Sequence, residues 1–222
     1  MRLTPEDHVH VAAAIRAAEA TTDGEVAAIV APASDAYNDV VLHWALLVGL
    51  LPLALAAAWP SLLLRVGTSL AGWGEEPTLR LLLTLLLVAT IGVFLVARFL
   101  FGLPRLRLAL TPTTTKARRV RRRALELFRA GTEQRTLSTT GVLLYLSLAE
   151  RRAEIVADAA IHAKAPQEQW GEAMAALLEQ LRQGRPGDGI AAAVERIGAV
   201  LASHFPHTGS DPNELPDRLI EL

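Results

Sequence analysis

The sequence feature that most restricts the fold is an apolar run from Val40 to Leu64 that contains no Asp, Glu, Lys or Arg. At roughly 25 residues, this run exceeds the roughly 20 that an α-helix needs to cross a bilayer. Trp44 and Trp59 lie near its ends, as aromatic residues of membrane helices often do. A second apolar run covers residues 81–101. Because the rest of the chain is too small to enclose both runs in a soluble core, we predict two transmembrane helices, at about 40–64 and 81–101.

The link between the two runs predicts a membrane hairpin over residues 40–103. Residues 65–80 contain three glycines and a proline, which favours a turn at one membrane face. The link holds only Arg65 and Arg80, whereas ten basic side chains follow between residues 98 and 129. By the positive-inside rule, we expect the soluble domain and both termini of a multi-pass inner-membrane protein to be cytoplasmic. The N-terminal sequence lacks the basic and apolar regions of a signal peptide, which agrees with this expectation.

Composition excludes several classes of function. The chain of 222 residues has a formal net charge of −1, a pI of about 6.6 and no cysteine. A neutral chain does not favour nucleic acid binding through overall charge. Without cysteine there are no disulfides, thiolate metal ligands or cysteine nucleophiles. The mean hydropathy of +0.30 is positive because the two apolar runs raise it.

The remaining residues predict helices and strands in two groups, one on each side of the hairpin. Thr4 and Pro5 are typical of a helix start, and the short apolar runs favour buried strands. The predicted elements are a helix over 5–20, a strand over 25–31, a helix over 111–130, an antiparallel strand hairpin over 142–148 and 153–157, and helices over 167–183 and 190–204.

Neither group forms a plausible domain alone, because the first offers one helix and one strand and the second leaves sheet edges unpaired. We therefore predict one α/β domain, a small mixed sheet flanked by helices, built from residues 1–39 and 104–206 and interrupted by the two-helix hairpin. The proline-rich and acidic residues 207–222 predict a flexible tail.

Several short motifs, taken in order, resemble the TPM domain family. They are Thr140 to Leu144, Ala153 to Asp158, Gly187 to Ile190, and Phe205 with Pro206. The resemblance implies an α/β fold and places the chain with bacterial TPM-like membrane proteins whose domain a hairpin interrupts. Phosphatase activity and binding of divalent cations have been attributed to members of this family. The resemblance also implies a membrane-protein partner, either a LemA-type protein or another TPM protein.

Three carboxylates are candidate metal ligands. Asp35, Asp39 and Asp158 follow or end predicted strands, and carboxylates gathered at one sheet edge would bind Ca²⁺ or Mg²⁺. The alternative is that these side chains cap loops, as aspartates commonly do. The sequence contains neither a phosphate-binding glycine loop of the P-loop type nor an H-E-x-x-H pair, so we assign no catalytic residue.

A cluster of arginines on the helix after the hairpin is the candidate membrane-surface site. It consists of Arg118, Arg119, Arg121, Arg122 and Arg123. Basic side chains close to a membrane attract anionic lipids. The alternative is that they form a solvated helix face that also serves as a topology signal.

These observations favour a non-enzymatic, membrane-anchored interaction or assembly-factor module, with the lipid bilayer and a membrane protein as partners and no nucleic acid. The first alternative is a divalent-metal-dependent phosphatase that uses the three aspartates. The second is an anionic-lipid surface binder that uses the arginine cluster.

Overall fold

The computed structural model describes residues 3–72, 75–132, 140–208 and 218–222. The chain divides into two compact units. One unit combines Met1–Asp35 with Thr114–Leu222, and the other consists of Ala36–Thr113. The first unit is therefore assembled from two separate stretches of the chain.

Within the described residues the chain forms ten helices and four strands. In chain order they are α1 (Pro5–Glu19), β1 (Glu25–Ala31), α2 (Asn38–Gly49), α3 (Leu51–Ala58), α4 (Pro60–Ala71), α5 (Leu79–Gly102), α6 (Pro104–Leu110), α7 (Thr113–Thr132), β2 (Gly141–Ser147), β3 (Arg152–Ala157), α8 (Ala159–Lys164), α9 (Gln167–Arg182), α10 (Pro186–His204) and β4 (Ile220–Glu221).

The four strands form one mixed sheet in the order β3-β2-β1-β4. β1 and β2 are parallel, with Glu25 opposite Gly141 and Ala31 opposite Ser147. β3 pairs with β2 in the antiparallel direction, and β4 pairs with β1 in the parallel direction. The predicted α/β fold with a small mixed sheet flanked by helices is confirmed, as is the antiparallel strand hairpin.

Helices cover both faces of the sheet. Successive side chains of a strand point to opposite faces, so β1 and β2 each contribute to two apolar layers. One layer joins the sheet to α1, α9 and α10; the strands supply Val26, Ala28, Val30, Val142, Leu144 and Leu146. The other layer joins it to α7; it contains Ile29, Ala31, Leu143, Tyr145, Val120 and Ala124.

The N-terminal helix α1 begins with the predicted Thr4 cap and packs closely against α10. The Asp7 amide donates to the Thr4 hydroxyl at 3.2 Å, and the Thr4 amide donates to the Asp7 carboxylate at 2.7 Å, which completes a capping box. Further along, α1 packs against Gly198 of α10. A Cβ at position 198 would lie 2.5 Å from the Cβ of Ala18, so only glycine permits this approach.

The last long helix begins earlier than the sequence predicts. The sequence predicts that this helix starts at Ile190, after a break at residues 184–189, but α10 already begins at Pro186. Proline suits the first turn of a helix because its missing N–H would have no partner there. Gly187 packs against the Asp7 side chain, and a Cβ at Gly189 would lie 2.9 Å from the Leu177 carbonyl oxygen. These glycines therefore serve helix packing.

The C-terminal residues add a strand that the sequence analysis missed. The Leu222 amide donates to the Val30 carbonyl at 3.0 Å, and Leu219 is buried. The prediction of a flexible tail over 207–222 is therefore corrected for residues 218–222; residues 209–217 lie outside the described residues. The physical reason is that Leu219 and Ile220 contribute to the two apolar layers on opposite faces of the sheet.

The inserted unit contains two segments long and apolar enough to cross a membrane, judged by length and composition. They are Asn38–Ala58, which comprises α2 and α3, and Leu79–Gly102, which is α5. Gly49 of α2 lies against α5, where a Cβ at position 49 would approach the Cβ of Phe94 to 3.0 Å. The two segments therefore pack as a helix pair.

The first predicted span, 40–64, is corrected by the structure. The segment stops at Ala58, and Trp59 adopts φ −133° and ψ 74° before the separate helix α4 begins. The cause is Pro60, because a proline ring disfavours the helical conformation in the residue before it. Much of the predicted turn over 65–80 is consequently helical. α4 packs on the start of α5, where a Cβ at Gly67 would lie 2.5 Å from Leu82 Cδ2.

Candidate functional site

A set of linked polar side chains lies in the core at the C-terminal edge of the parallel strands β1 and β2. The Glu150 carboxylate accepts from the Ser34 amide at 3.0 Å and from the Ser147 hydroxyl. The Ser34 hydroxyl also lies 3.0 Å from the Tyr145 hydroxyl. Tyr145 and Ser147 are fully buried, and Glu150 is 8% exposed. A buried carboxylate requires such donors, because its desolvation is otherwise costly.

The sheet itself places these groups together. Tyr145 and Ser147 are two residues apart in β2, so both side chains lie on the face covered by α7. Beyond the strands, the Leu148 and Ala149 amides donate to the carbonyls of Ala31 and Pro32, each at 3.0 Å. The turn that contains Glu150 is thereby fixed beside the segment that follows β1.

Asp35 links this segment to α7. Its Oδ2 atom lies 3.0 Å from Arg119 Nη1 and 3.3 Å from Arg122 Nη2. The side chains of Asp35 and Arg119 are only 20% and 14% exposed. Partial burial strengthens the attraction between opposite charges, so this pair differs from an ordinary surface ion pair.

Three of the five arginines in the predicted membrane-surface cluster also contact other acidic side chains. Arg121 lies 3.2 Å from Glu154, and both Arg122 and Arg123 lie 3.6 Å from Glu126. Arg118 is exposed, and within the described part of the chain it has no ion pair. Internal pairing reduces the positive charge that this cluster offers to an anionic lipid.

The three predicted metal ligands occupy different places. Asp158 accepts from the Gly141 amide at 2.8 Å, at the N-terminal edge of β2, whereas Asp35 follows the opposite edge of the sheet. Asp39 lies in the first turn of α2, in the other unit. Across the described ranges, no group of three or more His, Asp or Glu side chains is arranged to hold a metal ion. The structure therefore does not bring Asp35 and Asp158 together.

A second polar cluster lies at the N-terminal edge of the sheet. Asp23 accepts from the Thr208 amide at 2.8 Å and from the Thr208 hydroxyl at 2.6 Å, and it lies 3.1 Å from His207 Nδ1. These two hydrogen bonds, together with the nearby His207, hold the pKa of Asp23 below its ordinary value of 3.8. The cluster fixes the chain after α10 against the turn that precedes β1.

An open pocket of about 800 Å³ lies beside the turn that contains Glu150, on the α9 side of the sheet. Leucines from β2, the turn and α9 form its walls, and two arginines lie at its rim. The residues are Leu146, Leu148, Leu178, Leu181, Arg151 and Arg182. This combination of an apolar interior and positive charge suits a ligand with both an apolar and an anionic part.

Comparison with known proteins supports the sequence-based resemblance. Residues 104–200 match a family model described as TPM domain. Residues 104–200 are therefore similar to a TPM domain. The fold is also similar to the NMR structure of the BA42 protein from the psychrophilic bacterium Bizionia argentinensis, with a TM-score of 0.56 and 18% identity over 100% of this chain and 97% of that chain. At this identity the similarity concerns the fold. No curated protein matches the chain.

Most of the polar groups at the C-terminal edge of the TPM domain sheet were missed by sequence reasoning. The sequence predicts a strand over 142–148 and places Glu150 in the turn that leads to the strand over 153–157, without a buried partner for its carboxylate. The available signal was the pair Ser147 and Glu150, a hydroxyl and a carboxylate three residues apart where a buried strand ends. Such a spacing allows the two side chains to bond across a tight turn.

Proposed function

We propose that this protein is a membrane-anchored, non-enzymatic TPM-domain module that binds another membrane protein, of LemA type or another TPM protein, as an interaction or assembly factor. The observation that carries the proposal is the place of the insertion. The unit Ala36–Thr113, with its two apolar segments, lies in the chain between β1 and β2, which are neighbours in the sheet. The domain is therefore joined to the inserted unit at both ends of that unit.

Exposed apolar side chains on the inserted unit support the anchor. Leu47 on α2 and Leu87 on α5 are 58% and 59% exposed, and Val88 and Val96 on α5 are 62% and 59% exposed. Exposing apolar surface to water costs about 25 cal/mol per Å², so a continuous surface of this kind favours lipid contact. The greater number of arginines and lysines after α5 supports a cytoplasmic location for the TPM domain.

The arrangement of the polar groups supports a binding role. The Ser147 hydroxyl and the Ser34 amide bond to Glu150, and Asp35 faces two guanidinium groups. Groups that satisfy one another in this way stabilise the local structure. A catalytic nucleophile, in contrast, needs a base beside it and room for a substrate at the reacting atom.

Site-specific photo-crosslinking in membranes tests the proposal. A photoreactive residue would be placed, one at a time, at exposed positions on three helices of the domain: Arg118 on α7, Arg182 on α9 and Glu195 on α10. A binding module is expected to give a discrete light-dependent adduct with one membrane protein, concentrated on one face. The same positions without illumination are the control.

Two results would contradict the proposal. One is a chain that gives no discrete adduct at any of these positions. The other is Mg²⁺-dependent hydrolysis of p-nitrophenyl phosphate by the full chain that Asp158→Ala or Asp35→Asn abolishes, because this would establish the phosphatase alternative. Binding to anionic vesicles that depends on Arg118 and its neighbours would favour the lipid alternative instead.

A further inference from the structure

We propose that the pocket beside the turn between β2 and β3 binds a small organic carboxylate that carries an apolar body. The pocket volume of about 800 Å³ lies within the range of about 300–1,000 Å³ that is typical of small-molecule sites. Ligands of α/β proteins commonly bind beyond the carboxyl ends of parallel strands, and the pocket lies at that end of β2. This inference does not depend on the proposed membrane anchor.

The apolar part of the ligand would lie against leucines from two elements. Leu146 is the next-to-last residue of β2 and is buried, while Leu178 and Leu181 belong to α9 and are partly buried. Leucines three apart in a helix lie on the same face, so α9 presents both to the pocket. A rigid apolar group of aromatic size would cover the exposed parts of Leu178 and Leu181.

The two arginines at the rim would bind the carboxylate. Within the described residues, Arg151 has no ion pair, and it lines the pocket. Arg182 lies 3.9 Å from Glu179, but both side chains are more than half exposed, at 77% and 60%. An exposed pair of this kind contributes little, so Arg182 loses little on turning to a ligand. Guanidinium groups bind carboxylates with paired hydrogen bonds, which a lysine does not do.

The backbone holds Arg151 in an uncommon conformation at this place. Its φ is +52°, in the left-handed region that residues other than glycine rarely adopt. The turn that precedes it is fixed by the buried Glu150 and by the backbone bonds of Leu148 and Ala149 to the segment after β1. Strained residues that are fixed by their surroundings are frequent at ligand sites. The backbone that carries the Arg151 side chain is therefore fixed. This reduces the conformational entropy lost when a ligand binds.

Equilibrium dialysis with 2-naphthoate tests the proposal. The full chain would be used in phosphatidylcholine nanodiscs, with empty nanodiscs as the control for partition into lipid; if the chain is recovered without lipid, the same titration is done in buffer. We expect saturable binding of one 2-naphthoate per chain at pH 7. The neutral isostere 2-naphthamide should bind at least about tenfold more weakly, because it lacks the charge-assisted hydrogen bonds.

Two substitutions and a matched control localise the binding. Arg151→Gln and Arg182→Gln should each weaken 2-naphthoate binding about tenfold, and Arg118→Gln on α7 should leave it unchanged. Both variants keep a long polar side chain at an exposed position, so folding should be preserved, and thermal unfolding checks this. Three results would overturn the proposal: no saturable binding, equal binding of 2-naphthamide, or equal binding by the arginine variants. Failure of the membrane anchor would be seen separately, in the distribution of the chain between membrane and buffer.

Discussion

The buried hydroxyl of Ser147 donates a hydrogen bond to the Glu150 carboxylate across the turn between β2 and β3. The same carboxylate accepts from the backbone amide of Ser34, which follows β1. One side chain therefore connects the ends of two parallel strands that come from different halves of the chain. This relationship makes the Glu150 position sensitive to substitution although it lies in a turn.

Removal of the Glu150 carboxylate should destabilise the domain. Glu150→Ala leaves the Ser147 hydroxyl and the Ser34 amide without this acceptor, and each buried unsatisfied group costs about 1–3 kcal/mol. We expect a fall of several degrees in the melting temperature of the full chain in detergent. Glu195→Ala, at an exposed position on α10, should change it little. An equal effect of the two substitutions would contradict a stabilising role for the Glu150 network.

The pair of Asp35 and Arg119 should be coupled more strongly than a surface pair. A double-mutant cycle of Asp35→Asn and Arg119→Gln should give a coupling free energy above about 1 kcal/mol, because both side chains are largely buried. The matched cycle of Arg123→Gln and Glu126→Gln, an exposed pair at 3.6 Å, should give less than about 0.5 kcal/mol. Denaturant unfolding of the full chain supplies the free energies, and equal couplings would contradict the prediction.

Two glycines should respond to alanine in opposite directions. Gly198→Ala places a Cβ 2.5 Å from that of Ala18, so α1 and α10 must separate and stability should fall by about 1–3 kcal/mol. Gly171 on α9 has nothing within 4 Å of the new Cβ, so Gly171→Ala should raise stability by up to about 1 kcal/mol through helix propensity. Unfolding midpoints that move in the same direction would refute the predicted helix contact.

The contribution of Asp23 to stability should depend on pH in the acid range. Its pKa is lowered below 3.8 in the folded protein, so the folded state favours the ionised form. Stability from this group is present above the unfolded pKa and is lost as the pH falls through the folded pKa. Asp23→Asn should therefore lower the melting temperature at neutral pH, and its difference from the wild type should shrink below about pH 3.8. A difference that is constant from pH 7 to the acid range would show that charge is not involved.

The proposed topology can be tested by single-cysteine labelling, since the natural chain has no cysteine. Glu76→Cys lies in the link before α5, and Glu195→Cys lies on an exposed part of α10. A membrane-impermeant maleimide should label position 76 in intact spheroplasts and position 195 only after permeabilisation. The reverse pattern would invert the proposed orientation, and equal labelling at both positions would argue against a spanning hairpin.

Local sequence patterns predicted the elements of this chain better than its polar contacts. The Thr4 cap and the hairpin of β2 and β3 depend on neighbours in sequence, and both were predicted correctly. The sequence analysis missed the break in the helix at Trp59. The run without charged residues continues to Leu64, so it was assigned to a single span despite Pro60. β4 was missed because two residues carry no periodic pattern of their own.

The polar network at the sheet edge could not be predicted from local patterns. The Glu150 carboxylate meets the Ser34 amide, 116 residues away in the sequence, because β1 pairs with β2. Asp35 and Asp158 both adjoin strands, but the antiparallel direction of β3 places Asp158 at the opposite end of the sheet. Such arrangements depend on strand direction, which periodicity in a single strand does not reveal.

Because β1 pairs with β2, the sheet can be completed only after the inserted unit has been synthesised. The ribosome releases α1 and β1 first, and then both apolar segments, before it makes the strand that β1 must join. The two apolar segments consequently leave the ribosome while the sheet is still incomplete. If the apolar segments misfold at that step, β1 cannot pair with β2. The cell would then lose the folded domain together with the hairpin.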